Sequence, residues 1–102
     1  MRILLACASG FSTSILVERM KSYVQKEKLD ITIDAVSEGR IASVIEDFDL
    51  VLLGPQVSHL EQKYRKEFQD LNIPIQTISM MDYGMMDGEK VIKQALKLLR
   101  KE

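Results

Sequence analysis

The sequence predicts an α/β fold: a four-stranded parallel sheet in the order 2-1-3-4, flanked by helices on both faces. Three observations lead there. Short all-apolar runs at 3–7 and 50–53 show no alternation, which suits central strands covered on both faces. Segments with helical apolar spacing separate these runs from two further strand candidates. No linker, repeat or low-complexity tract interrupts the pattern, so residues 1–102 are expected to form a single domain.

Taken in order, Ile3-Leu4-Leu5-Ala6-Cys7 is the first strand. From Thr13 to about Lys28, Leu16, Met20, Tyr23 and Val24 make one apolar stripe, with Lys21, Gln25 and Lys26 on the wet side. Residues 31–36 alternate in part, so this second strand belongs nearer an edge. A short helix is expected over Arg40 to Glu46. The run Leu50-Val51-Leu52-Leu53 is the third strand and ends at Gly54-Pro55. Ser58 as N-cap and Glu61 three residues on form a capping-box pattern for a helix to about Asp70. Ile75-Gln76-Thr77-Ile78 follows Pro74, which fits the start of a strand and not the interior of a central one. The last helix runs from about Gly88 to Leu99, with Val91, Ile92, Ala95, Leu96 and Leu99 inward. Lys97, Arg100 and Lys101 then sit where cations suit the helix dipole.

This βαβαβαβα order implies right-handed crossovers and a flavodoxin-like three-layer sandwich. Placing the two all-apolar strands at the centre gives the order 2-1-3-4. The reversal of strand order then falls beside the end of the first strand, where parallel sheets place their ligands. The loop at 8–13 lands there.

The charge balance, 14 Lys plus Arg against 15 Asp plus Glu, lacks the basic excess of a nucleic-acid binder. One cysteine cannot form an internal disulfide, and an unpaired thiol suits a reducing compartment. The opening MRILLACASG has no separate charged region and no apolar span near the length of a membrane helix. The expectation is a soluble cytoplasmic protein.

The loop Cys7-Ala8-Ser9-Gly10-Phe11-Ser12-Thr13-Ser14 carries the chemistry. A cysteine ends a central strand, Gly10 permits a tight turn, three hydroxyl residues follow, and a helix begins at once. Backbone N–H groups directed into such a turn and onto a helix N-terminus cradle an anion. The same field favours a thiolate, so Cys7 is expected to be a reactive nucleophile. A lone cysteine in an apolar strand is more often a small buried hydrophobe. Its place at the strand end, before a turn rich in Gly, Ser and Thr, favours the nucleophile here. Thr13 and Ser14 either cap the helix and touch phosphate or only cap it.

Other chemistries find little support. There is no second cysteine for a redox pair, and Cys7 and His59 are not spaced as a metal site. No resident metal or cofactor is expected. Neither the dinucleotide nor the nucleoside-triphosphate glycine loop is present. A cysteine phosphatase would want an arginine clamping the phosphate. Position 13, where it would fall, is Thr13, and the next arginine downstream is Arg19. A loop so equipped can accept a phosphoryl group on sulfur but is poorly suited to hydrolyse it.

The opening from Ile3 to Ser14, the segment Leu52-Leu53-Gly54-Pro55-Gln56 and the stretch Asp82-Tyr83-Gly84-Met85-Met86-Asp87-Gly88 together resemble a known family. It is the cytoplasmic IIB component of the phosphoenolpyruvate-dependent sugar phosphotransferase system, of the lactose/cellobiose/chitobiose class. The resemblance spans nearly the whole chain. Galactitol- and ascorbate-type IIB domains also use a cysteine loop, but the second and third segments favour the cellobiose-like class. Phe11 departs from the methionine expected in many members, which bears on partner fit more than on chemistry.

The resemblance implies a relay. A phosphohistidine on the cognate IIA protein donates its phosphoryl group to Cys7, and phospho-Cys7 passes it to a sugar bound in the membrane-embedded IIC protein. Sugar is then reached only through IIC, and the chain associates transiently with the inner face of the membrane. The competing readings are a small cysteine phosphatase or arsenate-reductase-like enzyme, and a non-enzymatic anion-binding regulatory module.

Gly54, Pro55 and Gln56 end a strand beside the loop, and Gln56 either touches the phosphoryl group or a partner or serves the turn. Tyr83 either faces a partner or packs its ring. The methionines at 80, 81, 85 and 86 suit an adaptable contact surface or core filling equally. His59 lies off the cysteine loop and is expected at a surface or helix start rather than as a second phosphoryl carrier.

Overall fold

The computed structural model of the chain describes residues 1–8 and 14–100, apart from the side chain of Arg100. Its sheet has four strands in the order β2-β1-β3-β4, all parallel. They are β1 (Arg2–Cys7), β2 (Thr32–Ser37), β3 (Leu50–Leu53) and β4 (Ile75–Thr77). Five α-helical segments lie between and after them: α1 (Ser14–Lys26), α2 (Ile41–Val44), α3 (Glu61–Glu67), α4 (Met80–Gly84) and α5 (Gly88–Arg100).

Alternate residues of the central strands feed two cores. Ile3 and Leu5 of β1 and Leu50 and Leu52 of β3 pack under α1 and α5, with Leu16, Met20, Val91, Ile92 and Ala95. Leu4, Ala6, Val51 and Leu53 point the other way, onto Ile41, Ile45, Val57 and Tyr64. Every residue from Ile3 to Cys7 and from Leu50 to Leu53 is buried, which is why both strands lack a polar face. β2 is an outer strand and exposes Thr32, Asp34 and Ala35, in line with its partial alternation.

β4 is the other outer strand, and side chains cover its open edge. Thr77 donates its N–H to Glu61 Oε1 at 2.8 Å and its hydroxyl to the same oxygen at 2.6 Å. Arg65 Nε donates to the Ile75 carbonyl at 2.8 Å and pairs with Glu61 at 3.0 Å. Gln94 of α5 donates to the Thr77 carbonyl at 3.3 Å. These groups stand in for a fifth strand and block edge pairing.

Several expected boundaries need correction. The pattern Ser58–Glu61 is not a capping box: Pro55–Leu60 runs as 3₁₀ turns, and Leu60 precedes α3 without a side-chain cap. The Glu61 carboxylate that would have closed the box is held by Thr77 and Arg65 instead. α3 stops at Glu67, and a 3₁₀ turn at Gln69–Leu71 ends on Asn72 in the left-handed region. The helix expected over 40–46 is α-helical only from Ile41 to Val44, with 3₁₀ turns on either side. α4 was not foreseen. Ser79 caps it by accepting from the Asp82 N–H at 3.1 Å. The expected helix start at Thr13 and the placement of Lys101 lie outside the described residues.

The turn from α4 to α5 explains the spacing of Asp82 to Gly88. Met86 takes φ 52°, the left-handed conformation that lets the Asp87 N–H reach back to the Asp82 carbonyl at 3.0 Å. Asp87 then caps α5, its Oδ1 accepting from the Lys90 N–H at 3.0 Å. Gly88 lies directly on the backbone of α1. A Cβ there would stand 2.5 Å from the Arg19 carbonyl carbon and 2.5 Å from the Met20 nitrogen. Arg19 Nη1 donates to the Met85 and Met86 carbonyls, both at 3.3 Å, and pins the same turn.

Across the second core, the Tyr64 hydroxyl donates to the Glu38 carboxylate in a short hydrogen bond. Burial of the ring, then the bond to Glu38 and the nearby carboxylate charges of Glu38 and Glu67, push the Tyr64 pKa up from 10.0 to about 12. A pKa raised on folding adds stability that is complete below pH 10 and fades as the pH rises toward 12. Urea unfolding should therefore show stability falling more steeply from pH 10 to 12 in the wild type than in Tyr64→Phe. At neutral pH that variant should lose about 1–2 kcal/mol. Gly88→Ala should lose about 1–3 kcal/mol in the same measurement, because two helix backbones must part to admit one methyl group.

Candidate functional site

The end of β1 places Cys7 at the C-terminal edge of the sheet, opposite Ser37 of β2. One strand over, Gly54 follows β3 and donates its N–H to the Ala6 carbonyl at 2.8 Å, extending the ladder by one residue. The peptide after Leu53 is thereby drawn against the cysteine. Beyond β4, the Ile78 N–H reaches the Leu53 carbonyl at 2.9 Å and sets the start of the α4 segment on the same edge.

Gly54 is the point where the candidate residues meet. A Cβ built on it would lie 2.8 Å from Gln56 Oε1, 3.3 Å from Cys7 Cβ and 3.6 Å from Tyr83 Cε1. Three side chains from three separate segments thus converge on the space left by a missing fourth. Cys7 is 1% exposed and Tyr83 is 6% exposed, so both form the floor of this group. Gln56 is exposed and forms its rim, while Pro55 is half-buried at the first position of the 3₁₀ turn. Ala8 is exposed immediately after the cysteine, and Ser14 is exposed at the first position of α1. Ser9, Gly10, Phe11, Ser12 and Thr13 lie outside the described residues.

Of the expected site residues, Cys7, Gly54, Gln56 and Tyr83 are brought together. The Tyr83 ring is packed, in the core shared by α1 and α5, rather than turned to solvent. His59 is exposed within the turns before α3. Arg19, the first arginine after the loop, commits Nη1 to the Met85 and Met86 carbonyls. Glu61, expected only as part of a capping box, instead accepts from Thr77 and holds the end of β4. The sequence reading missed α4 itself. The pattern Ser79-x-x-Asp82 was the available signal, since it matches the N-cap and third helical positions.

Chemically, the group sets a buried thiol at the end of β1. A carboxamide stands on one side and an aromatic wall on the other. A thiol so placed can take up and release a tetrahedral group delivered from outside.

Comparison with known proteins identifies the family. Residues 2–94 match the family described as "PTS system, Lactose/Cellobiose specific IIB subunit". The oligo-beta-mannoside-specific EIIB component of Bacillus subtilis (strain 168) is 45% identical over 98 residues, covering 96% of this chain and 95% of the relative. The cellobiose-specific EIIB component of Lactococcus lactis subsp. lactis (strain IL1403) is 37% identical, covering 95% of this chain and 94% of the relative. Among solved structures, the cellobiose-specific phosphotransferase IIB component of Borrelia burgdorferi superposes with a TM-score of 0.83 at 39% identity. That match covers 99% of this chain and 93% of the other. The lactose-specific IIB component domain from Streptococcus pneumoniae, at 18% identity and TM-score 0.86, shares the fold; the match covers 95% of each chain. The chain belongs to the lactose/cellobiose-specific IIB family of the phosphoenolpyruvate-dependent sugar phosphotransferase system, a family of phosphotransferases that act in sugar uptake.

Proposed function

We propose that Cys7 is the phosphoryl carrier of this IIB chain, taking the group from a phosphohistidine of the IIA protein and passing it to a sugar held by the membrane-embedded IIC protein. The observation that carries this reading is the meeting of Cys7, Gly54, Gln56 and Tyr83 at the sheet edge, in a chain of this family.

In the first step the Cys7 thiolate attacks phosphorus in line. The S–P bond forms as the P–N bond breaks, and the imidazole nitrogen leaves with the electron pair. In the second step a sugar hydroxyl oxygen attacks the same phosphorus. The S–P bond breaks, the thiolate returns, and the hydroxyl proton passes to a base on the acceptor side. Both steps need the charge on the three phosphoryl oxygens to be held. Ala8 through Ser14 supply backbone N–H and hydroxyl donors for this, and Gln56 adds a carboxamide from the neighbouring strand end. Gly54 keeps the approach to sulfur open. The buried Tyr83 ring holds the floor and keeps water from one side.

Hydrolysis is disfavoured by the residues at hand. Position 13 is threonine, and Arg19 already bonds the Met85 and Met86 carbonyls through Nη1. The carrier thus keeps its group until a partner arrives. Relatives of similar likeness are named for an oligo-beta-mannoside, galactose and cellobiose, which supports placing the choice of sugar in IIC. The sugar belongs to the cellobiose, chitobiose and lactose type. Among the described residues no helix is long and apolar enough to cross a membrane. The chain works in the cytoplasm and meets the membrane's inner face through IIC.

Incubation with phosphorylated IIA should add one phosphoryl group to the intact mass of the wild-type chain. Cys7→Ser should carry none under the same conditions, and His59→Ala should be charged like wild type. A wild-type chain left unmodified would sink the proposal.

A further inference from the structure

A groove of about 670 Å³ lies between β4, the start of α4 and α5, and its lining includes none of Cys7, Gly54, Gln56 and Tyr83. Its size is that of a small-molecule cleft. Helical spacing brings Lys90, Lys93, Gln94 and Lys97 to one side of α5, and all four line the groove. The three lysines are exposed and form its rim. Gln94 is half-buried, as are Gln76 of β4 and Asp82 of α4, and these three form its floor.

The charges here are not spent on one another. Lys93 pairs with Glu89 at 2.7 Å, outside the lining. Among the described residues Lys90 and Lys97 have no carboxylate partner, and no ion pair joins Asp82 to a lysine across the gap. The two carboxamides are held in place. Gln94 Nε2 donates to Gln76 Oε1 at 2.6 Å and to the Thr77 carbonyl at 3.3 Å. That leaves the Gln76 nitrogen as a donor and the Gln94 oxygen as an acceptor for a ligand.

We propose that this groove binds a phosphorylated oligosaccharide, its phosphate against the lysine rim and its hydroxyls on Asp82, Gln76 and Gln94. Each half of the lining excludes a simpler ligand. A bare anion would gain from the lysines but would face the Asp82 carboxylate. A neutral sugar would use the carboxylate and carboxamides and leave three cations idle. A compound carrying both a phosphate and a row of hydroxyls satisfies both halves, and a disaccharide fills a groove of this volume. The choice of ligand rests on the proposed relay, whose product is such a compound, but its binding needs no phosphoryl group on Cys7. Asp82 adjoins Tyr83, so the groove and the cysteine site share α4.

The test is an NMR titration of the full, uncharged chain with phosphorylated cellobiose, with cellobiose and with inorganic phosphate. The first should shift the amide signals of Gln76, Asp82 and Gln94 at concentrations where the other two leave them still. The triple variant Lys90→Gln, Lys93→Gln, Lys97→Gln should weaken this binding about ten-fold, and Asp82→Ala about three-fold. Thermal unfolding should be unchanged in both, because these side chains lie outside the two cores. Equal binding of inorganic phosphate would reduce the groove to a basic patch and overturn the proposal. Shifts confined to the surroundings of Cys7, no shift at all, or binding indifferent to the variants would overturn it too. So would phosphatidylserine vesicles that displace the compound from the wild type, since the rim would then belong to a lipid surface. A chain that binds the compound but is never charged at Cys7 would sink the relay and leave the groove standing.

Discussion

The structure depends on β1 being buried on both faces and paired on both edges. Ile3 and Leu5 fill one core, Leu4 and Ala6 fill the other, and β2 and β3 complete the hydrogen bonding on either side. A strand held on four sides has no register freedom, because a slip by one residue would exchange the two cores. The residue that ends it is therefore placed with little uncertainty in direction or depth. That residue is Cys7. A reactive group at the end of a flexible strand would need a lid or clamp to orient it. Here packing along the preceding four positions, Ile3 to Ala6, orients it.

Two glycines then shape the surroundings by what they omit. Gly54 leaves room for Cys7, Gln56 and Tyr83 to approach one point, and Gly88 lets the backbone of α5 rest on that of α1. The second contact matters to the first. Gly88 follows the turn that ends α4, Arg19 holds the same turn by its carbonyls, and α4 carries Tyr83. The helix that follows the cysteine loop is thus tied to the helix that forms the floor of the site. The edge bonds of Glu61 and Arg65 to β4 steady the strand from which α4 departs. Site geometry is in this way a consequence of backbone contacts some distance from the sulfur.

Much of this was legible because it is periodic. The unbroken apolar runs at 3–7 and 50–53 marked the central strands, and the partial alternation at 31–36 marked an outer one. Those two facts were enough for the strand order, and the order was enough to place residues 7, 54 and 83 on one edge. What was not legible depends on partners distant in sequence. Ser58 and Glu61 have the spacing of a capping box, but Thr77, sixteen residues on, claims the carboxylate. Arg19 finds its acceptors 66 and 67 residues away. α4 escaped notice because it is five residues long and buries Tyr83 alone, so it has no apolar stripe directed at a core.

The sharpest test of the account separates sulfur from nitrogen as the atom that carries phosphorus. A phosphorus NMR spectrum of the chain charged through phosphorylated IIA should contain one protein-bound resonance, of the S–P type. It should be absent from Cys7→Ser and unchanged in His59→Ala. An N–P resonance that survives Cys7→Ser and vanishes with His59→Ala would contradict the account at its centre.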